Sequence, residues 1–558
     1  MSMLLAPLDH PVKSLSIIYT IRTLSLLLLA CYTTYLFPPF SPLGYDTSST
    51  HITEAGEYTP ISKGSFLNAP FITDLVERLA TALTRWDAIY FASIARFGHR
   101  WEQEWAFGVG QSYLLQGYQS IYSLTSNVEV APQFQILFFS FCSCASHLAS
   151  AILLYHFSVL VLGTAQPVGP GTERESIPRF VAFVAAALHV LSPAGIFLIA
   201  PYNEPIFSLL SFLGYWLYGY AIRNATDDGH YLIGSPQNGL VMSPEANLEV
   251  LKKVQTDAED LLLAVDLKKP EYAKEREEAQ NALNQINTKV EQLSSQLNLF
   301  YSRKVNLKNE FALVVSGFFF GVSSLFRSNG IINGILFALD ALRYIRELSV
   351  GVNVYPNLRL LIATGIGGLL VGLPTLWRQY QGWLEYCTIS TPIKREWCAK
   401  SIPSIYSFVQ SHYWGVGFLK YWTPGNIPLF LLAAPMLGIL IKTSFDIVTI
   451  LTPEPHRPLY ALRLYRTNRN LLFRLAVPQL VLAILAITNY HVQIITRLSS
   501  GLPIWYLVMA AALAERSSEQ SKDVVSEKSP NWSRMMLRFF LGYQVVQAVL
   551  YGGFLPPA

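Results

Sequence analysis

The stretch LSIIYTIRTLSLLLLACYTTYLF, residues 15–37, decides the class of fold. A helix needs about 20 mostly apolar residues to cross the hydrocarbon core of a bilayer, and this stretch is long enough. It lacks the small-residue Ala-x-Ala site at which a secretory signal peptide is cleaved. We therefore interpret it as an uncleaved first membrane helix.

Ten further apolar segments follow, and together they predict an all-α multi-pass membrane protein with about 11 transmembrane helices, in a range of about 8–12. The composition agrees, because 51% of the residues are hydrophobic and 14% are charged, whereas a soluble domain has about 25% charged residues. No basic block with interleaved aromatics occurs, so we expect no nucleic-acid partner. The eleven segments are 15–37, 134–163, 179–200, 204–222, 311–326, 330–346, 358–377, 428–451, 472–488, 502–514 and 535–554.

Lysine and arginine are concentrated in alternate loops, and this bias predicts a cytosolic N-terminus. The predicted organisation has an N-terminal membrane module, 1–222, with a large first loop, 38–133, on the side opposite the cytosol. A charged cytosolic insert, 223–310, separates it from a C-terminal membrane module, 311–558. This second module has its own loop, 378–427, on the same side as the first loop.

The insert has a helical pattern of its own. Apolar residues recur at heptad spacing from Leu283 to Phe300, and Lys268-Lys269-Pro270 interrupts the pattern before them. This predicts a helical hairpin over 249–308. A solvated insert without chemistry and a partner-docking arm both fit the pattern.

Cys387 and Cys398 lie in the second polar loop. They could form a disulfide, which would require an oxidising compartment, or remain two free thiols.

The first loop holds the strongest catalytic candidate. Residues from Ile72 to Trp86 have helical apolar spacing, which predicts an amphipathic helix at the membrane surface, with Asp87 at its end. A sheltered carboxylate can act as the general base of glycosyl transfer. The alternative is a helix-end carboxylate paired with Arg85 or Arg96.

Polar residues interrupt the later apolar segments on the same predicted side. Glu204 could bind sugar hydroxyls or cap a helix. Arg327 and Asn329 could hold a phosphate, or Arg327 could form an interhelical ion pair. The remaining candidates lie in two later loops; they are Tyr413, Trp414, His491, Gln493 and Arg497. The two aromatics among them could stack on sugars or belong to an interfacial aromatic belt.

Several longer motifs carry a resemblance to a known family. They are RWDAIYF at 85–91, LSPAGIF at 191–197, YNEPIF at 202–207, RSNG at 327–330, IYSFVQSHYWGVGFLKY at 405–421, FLLAAP at 430–435 and HVQIITR at 491–497. In this order they resemble the GPI mannosyltransferase 2 family, which adds the second mannose to the glycosylphosphatidylinositol (GPI) anchor precursor. Two departures are the stretch at 107–111, where the family has Phe-Phe-Pro-Gly, and the charged insert.

The resemblance implies a glycosyltransferase C-like fold in the endoplasmic reticulum membrane, with the active site in the lumen. It implies α-1,6 transfer from dolichyl phosphate mannose with inversion, Asp87 as base and Trp86 beside it. The expected partners are the lipid-linked donor and the GPI precursor, with room for an accessory membrane subunit. No cofactor or metal is expected. The rival interpretations are another dolichyl-phosphate-sugar transferase, a lipid or solute transporter, and a non-catalytic assembly subunit.

Overall fold

The computed structural model is built from α-helices and short 3-10 segments, and no strand occurs among the residues it describes. This confirms the predicted all-α class. The described residues are 6–36, 70–125, 130–163, 173–225, 244–264, 273–302, 307–351, 354–388, 395–450, 469–519 and 532–555.

The α-helices are numbered here in chain order over those residues. They are α1 (Pro11–Leu36), α2 (Pro70–Leu83), α3 (Asp87–Phe97), α4 (Gly110–Thr125), α5 (Pro132–Leu162), α6 (Glu173–Val190), α7 (Glu204–Ala225), α8 (Pro244–Ala264), α9 (Ala273–Ser302), α10 (Lys308–Phe326), α11 (Gly334–Ser349), α12 (Val354–Trp383), α13 (Ile405–His412), α14 (Ile427–Ile450), α15 (Arg469–Thr488), α16 (Ile495–Leu498), α17 (Ile504–Glu519) and α18 (Trp532–Gly552). The 3-10 segments are Glu102–Ala106, Gly195–Leu198, Ser328–Asn333, Glu396–Ala399, Pro424–Asn426, Val492–Ile494 and Ser499–Gly501, and a π turn covers Leu384–Thr388.

Seven of the described helices are long and apolar enough to cross a membrane. An eighth span results if the bent pair Val492–Gly501 and Ile504–Ala514, which meet at 80°, is one crossing. The count therefore reaches the lower end of the predicted range. The other three predicted segments also form helices, namely α6, α11 and α18, but they are shorter or more polar than the seven.

The larger compact unit comprises 1–220, 314–338 and 366–558. Its core brings α1, α2, α3 and α18 together with the irregular segment after α6. Close approach of α1 and α18 depends on Gly552, where a Cβ atom would lie 2.5 Å from the carbonyl oxygen of Ala30. The end of α18 also packs beside the segment that leads into α3, where Tyr551 contacts Leu83.

Within this unit, a buried carboxylate ties the first loop to the second. Glu102 accepts hydrogen bonds from Trp397 Nε1 at 3.3 Å and from the Tyr413 hydroxyl at 2.9 Å, and it pairs with Arg395 Nε at 3.2 Å. A buried carboxylate needs such partners, because an unpaired charge in an apolar environment is costly. The contacts hold the two predicted loops against each other.

Cys387 and Cys398 are joined by a disulfide, with their Cα atoms 5.7 Å apart. This decides between the two states that the sequence left open. The bridge closes the second loop next to Trp397, which is completely buried.

The smaller unit comprises 221–313 and 339–365. In it, α8 and α9 pack against each other, and Leu283 is buried on α9. The predicted break at Lys268–Pro270 and part of the heptad pattern lie outside the described residues. An ion pair between Arg359 and Glu310 is also internal to this unit.

Candidate active site

Four charged side chains meet inside the larger unit, although they are far apart in the sequence. Asp87 Oδ2 lies 2.9 Å from Arg497 Nη1, and the same nitrogen lies 3.8 Å from Glu204 Oε1. Glu204 Oε1 also pairs with Arg327. The four formal charges sum to zero, so the cluster is electrostatically balanced around a Glu204 side chain that is 0% exposed.

Each of these residues lies at an interruption between helices. Asp87 and Glu204 are the first residues of α3 and α7, Arg327 directly follows α10, and Arg497 is in the short α16. Non-helical backbone at membrane depth is tolerated where it lines a cavity or is buried in protein. Carboxylates at helix N-termini are favoured by the helix dipole.

The structure corrects the expected position of Asp87. The amphipathic helix α2 ends at Leu83, and Asp87 begins a separate helix after the break at residues 84–86. Trp86 in this break has φ 54° and ψ −124°, a region that residues other than glycine rarely adopt. Such a conformation costs about 1–3 kcal/mol and is typical of functional sites.

A cavity of about 410 Å³ opens beside the charged cluster. Eight of the predicted site residues line it: Trp86, Asp87, Arg327, Asn329, Trp414, His491, Gln493 and Arg497. Its other lining residues are Tyr90, Ala106, Phe107, Gly108, Phe197, Tyr202, Phe326, Ser328, Tyr406, Gln410, Tyr490, Ile494 and Leu498.

Two predicted residues do not line the cavity. Glu204 lies behind the two arginines, where it pairs with both. Tyr413 instead donates its hydroxyl to Glu102. This hydrogen bond helps to hold the two loops together, and the neighbouring residue Trp414 lines the cavity.

Several lining residues were missed because aromatic and amide side chains are common in any membrane-interface loop. Phe197 and Tyr202 present their rings to the Arg497 guanidinium, whose Cζ lies 4.5 and 5.7 Å from the ring centroids. Tyr406 shares a hydrogen bond of 3.1 Å with Ser328. The available signal was their presence inside the motifs that carry the family resemblance.

The pKa values of three titrating groups that line the cavity, His491, Tyr406 and Tyr490, are shifted in the direction that favours the neutral form. Burial lowers the pKa of His491, and nearby Arg497 lowers it further against the opposing effect of Asp87. Burial raises the pKa of Tyr406 and of Tyr490. The positive charge that faces the cavity therefore belongs to Arg327 and Arg497.

Four polar side-chain atoms of residues that line the cavity have no hydrogen-bond partner among the described residues. Within the described part of the chain, Arg327 Nε, Arg497 Nε, Asn329 Oδ1 and Trp86 Nε1 are buried and have no hydrogen-bond partner. An unsatisfied buried donor or acceptor costs about 1–3 kcal/mol.

The stretch that departs from the family pattern forms part of the wall. Phe107 and Gly108 line the cavity, and a Cβ atom at Gly108 would lie 2.0 Å from the carbonyl oxygen of Phe326. Only glycine permits this approach to the backbone beside Arg327. Across the described ranges, no group of three or more His, Cys, Asp or Glu side chains is arranged to hold a metal ion.

Comparison with known proteins gives a consistent result. A family profile described as Mannosyltransferase (PIG-V) matches residues 18–232 and 288–558, and the gap lies within the predicted insert. A protein named GPI mannosyltransferase 2 from Gibberella zeae is 33% identical over 482 residues, which is 86% of each chain. Its namesake from Aspergillus oryzae is 31% identical over 554 residues, covering 99% of this chain and 96% of the relative. Among solved structures, the archaeal oligosaccharyltransferase AglB from Archaeoglobus fulgidus aligns with a TM-score of 0.35 and 11% identity, covering 95% of this chain and 55% of that chain.

Proposed function

The chain belongs to the PIG-V mannosyltransferase family, and we propose that it adds the second mannose of the GPI anchor, in α-1,6 linkage. It is a membrane mannosyltransferase of GPI-anchor synthesis that acts on lipid-linked substrates. The proposed donor is dolichyl phosphate mannose, and the proposed acceptor is the mannosyl-glucosaminyl-phosphatidylinositol intermediate.

The observation that carries the proposal is the placement of Asp87. Its side chain is 27% exposed and lines a cavity that also presents the guanidinium groups of Arg327 and Arg497. A sugar donor with a phosphate leaving group needs one base for the acceptor hydroxyl and positive charge for the departing phosphate. The cavity is lined by both a candidate base, Asp87, and two positively charged groups, Arg327 and Arg497.

In the proposed reaction, the acceptor 6-hydroxyl oxygen attacks C1 of the donor mannose. The bond from C1 to the phosphate oxygen breaks, its electron pair leaves with the phosphate, and the hydroxyl proton goes to Asp87. A β-linked donor then gives an α-linked product by inversion, without a covalent intermediate on the enzyme. The phosphate is already a good leaving group, so no general acid is required.

The ion pairs suggest how charge is rearranged in this step. Before transfer, Asp87 neutralises Arg497 at 2.9 Å. Once Asp87 accepts the proton, it no longer neutralises that guanidinium, and the full charge of Arg497 becomes available to the leaving phosphate. The phosphate reaches a charge of about −2 in the same step. Proton transfer to the base therefore strengthens the site that binds the leaving group.

Arg327 has a different counterion. It pairs with the buried Glu204, which is not positioned as a cavity base because it lies behind the arginines. Glu204 orients both guanidinium groups and compensates the charge of Arg327, whose only ion-pair partner in the described residues it is. We assign Glu204 a positioning role and Arg327 a role in phosphate binding, with Trp86, Asn329, Trp414, His491 and Gln493 as substrate contacts.

We further propose an endoplasmic reticulum location, with a cytosolic N-terminus and a lumenal cavity. The bridge between Cys387 and Cys398 supports this orientation, because disulfides persist in oxidising compartments. The loop that contains it supplies Trp414 to the cavity wall. The loop bias in lysine and arginine supports the same orientation.

The test is transfer in microsomes from cells that lack the endogenous enzyme and express this chain, which keeps any accessory membrane subunit in place. Labelled dolichyl phosphate mannose is supplied with a one-mannose GPI precursor. We expect a two-mannose product whose label is released by an α-1,6-specific mannosidase. Transfer only to another acceptor would overturn the second-mannose assignment. Binding of the lipids without any transfer would favour the transporter interpretation.

A further inference from the structure

We propose that the end of α18 is a positioning device for Asp87, in which Tyr551 and Phe554 fix the rare backbone conformation of Trp86. The inference rests on the proposed function, because it takes Asp87 as the base. Neither residue lines the cavity. Both would therefore act on the reaction only through the residues that they hold.

The first contact consists of hydrogen bonds from two tyrosine hydroxyls to the backbone just before Asp87. The Tyr551 hydroxyl donates to the carbonyl oxygen of Leu83 at 2.9 Å and lies 3.4 Å from that of Arg85. The Tyr202 hydroxyl donates to the same Arg85 oxygen at 3.1 Å. Both tyrosines are 0% exposed. The peptide on the N-terminal side of Trp86 is thus held from two elements that are distant in the sequence.

The second contact is aromatic. The Phe554 ring lies against the Trp86 indole, with ring centroids 5.2 Å apart. The Arg85 guanidinium lies over the same phenyl ring at 5.1 Å from its centroid. Phe554 therefore touches both side chains that flank the peptide between Arg85 and Trp86. The Phe554 ring thereby restrains the positions of the Trp86 indole and of the Arg85 guanidinium.

Backbone hydrogen bonds stabilise the turn that contains Phe554. The Phe554 N–H donates to the Tyr551 carbonyl at 3.1 Å, and the Leu555 N–H donates to that of Leu550 at 2.8 Å. Phe554 has φ 56°, a left-handed conformation that commonly ends a helix. Tyr551 and Phe554 at the end of α18 therefore both contact the segment from Leu83 to Trp86.

These contacts matter because Asp87 comes directly after Trp86 in the chain. A positive φ at a tryptophan persists only where surrounding groups over-determine it. Relaxation toward an ordinary conformation would redirect the first residue of α3, which is Asp87. A displacement of about 1 Å at a reacting group can reduce the rate about 100-fold. The expected signature is a loss of kcat without a matching loss of substrate binding.

The test compares Tyr551→Phe with Tyr19→Phe in the full-length membrane enzyme. The control is matched, because the Tyr19 hydroxyl also donates to one backbone carbonyl, that of Cys144, at 2.7 Å and is largely buried. Each variant loses one hydroxyl and keeps its ring. We expect similar losses of thermal stability in detergent from both, but a fall in kcat of about 10–100-fold with unchanged KM only for Tyr551→Phe.

A second pair of variants tests the aromatic contact. Phe554→Ala should lower kcat in the same way, and Phe554→Tyr should restore it. Equal kcat values for Tyr551→Phe and Tyr19→Phe, together with full activity of Phe554→Ala, would overturn the positioning role. Failure of the wild-type enzyme to transfer mannose would instead contradict the proposed function, so the two failures are distinguishable.

Discussion

Replacement of Asp87 by asparagine is the most informative perturbation of the site. The amide keeps the shape of the side chain and a carbonyl oxygen for Arg497 Nη1, which lies 2.9 Å from the carboxylate, but it cannot accept the acceptor proton. A general base contributes about 10²–10⁴-fold to a rate, so the barrier should rise by about 2.7–5.4 kcal/mol.

The same substitution should affect stability far less. The Asp87 and Arg497 side chains are 27% and 14% exposed, and Arg497 retains Glu204 at 3.8 Å. Asparagine removes the charge of a largely buried pair but still accepts a hydrogen bond from Arg497, so it avoids the larger penalty of leaving the guanidinium without a partner. The predicted result is a folded, membrane-inserted protein with little or no transfer activity.

The assay measures initial rates of mannose transfer in microsomes, normalised to the abundance of each variant. Asp446→Asn is a matched control, since Asp446 is 24% exposed and pairs with Lys442 on α14, outside the cavity. We expect this control to transfer mannose at the wild-type rate. Wild-type activity of Asp87→Asn would refute the base assignment, and equal losses of rate and abundance would indicate a structural role.

Four further predictions concern charge, metal, pH and redox state. Arg327→Ala should weaken use of the donor, measured as KM for dolichyl phosphate mannose, more than it lowers protein abundance; equal losses would instead indicate a structural ion pair with Glu204. Chelation with EDTA should leave the transfer rate unchanged, since the proposed reaction takes the positive charge at the phosphate from the two arginines, and inhibition relieved by added metal would contradict this. Burial and the adjacent Arg378 lower the pKa of His99 to about 3, below its unfolded value of about 6.5. The contribution of this residue to stability is therefore present above pH 6.5 and is lost as the pH falls toward 3. The melting temperature of wild type should drop more steeply on acidification than that of His99→Gln, and parallel curves would contradict a role of His99 in this pH dependence. Cys387→Ser should lower the melting temperature and make it insensitive to reductant, whereas wild type should lose stability when reduced; a reductant-insensitive wild type would show that the bridge does not stabilise the loop.

Much of the fold could be predicted because apolar length is a strong local signal. Each of the eleven predicted segments contains a helix, although α6 ends at Val190 and covers only the first half of the predicted segment 179–200. The sequence does not reveal how far a short helix such as α6 or α11 extends across a bilayer. That property depends on tilt and on neighbouring helices, which hydropathy does not report.

Many residues that line the cavity could be selected from the sequence, but the ion pairs between them could not. Charged residues at depth are rare and costly, so Arg327, Arg497 and Glu204 stood out in the sequence. Nothing local indicated that Asp87 pairs with Arg497 rather than with Arg85 or Arg96, because the two partners are 410 residues apart. The sequence leaves Tyr413 open between stacking on a sugar and an interfacial aromatic belt, and it gives no sign of the hydrogen bond from its hydroxyl to Glu102.

The long separation between Asp87 and Arg497 also has a consequence for biosynthesis. A ribosome adding about 5–20 residues per second needs roughly 20–80 s to travel from one residue to the other. During that interval the carboxylate has been made but its counterion has not, and Tyr551 is added later still. A nascent chain therefore carries Asp87 without the guanidinium that balances it until Arg497 has been added, and the tyrosine that holds the preceding backbone follows 54 residues later.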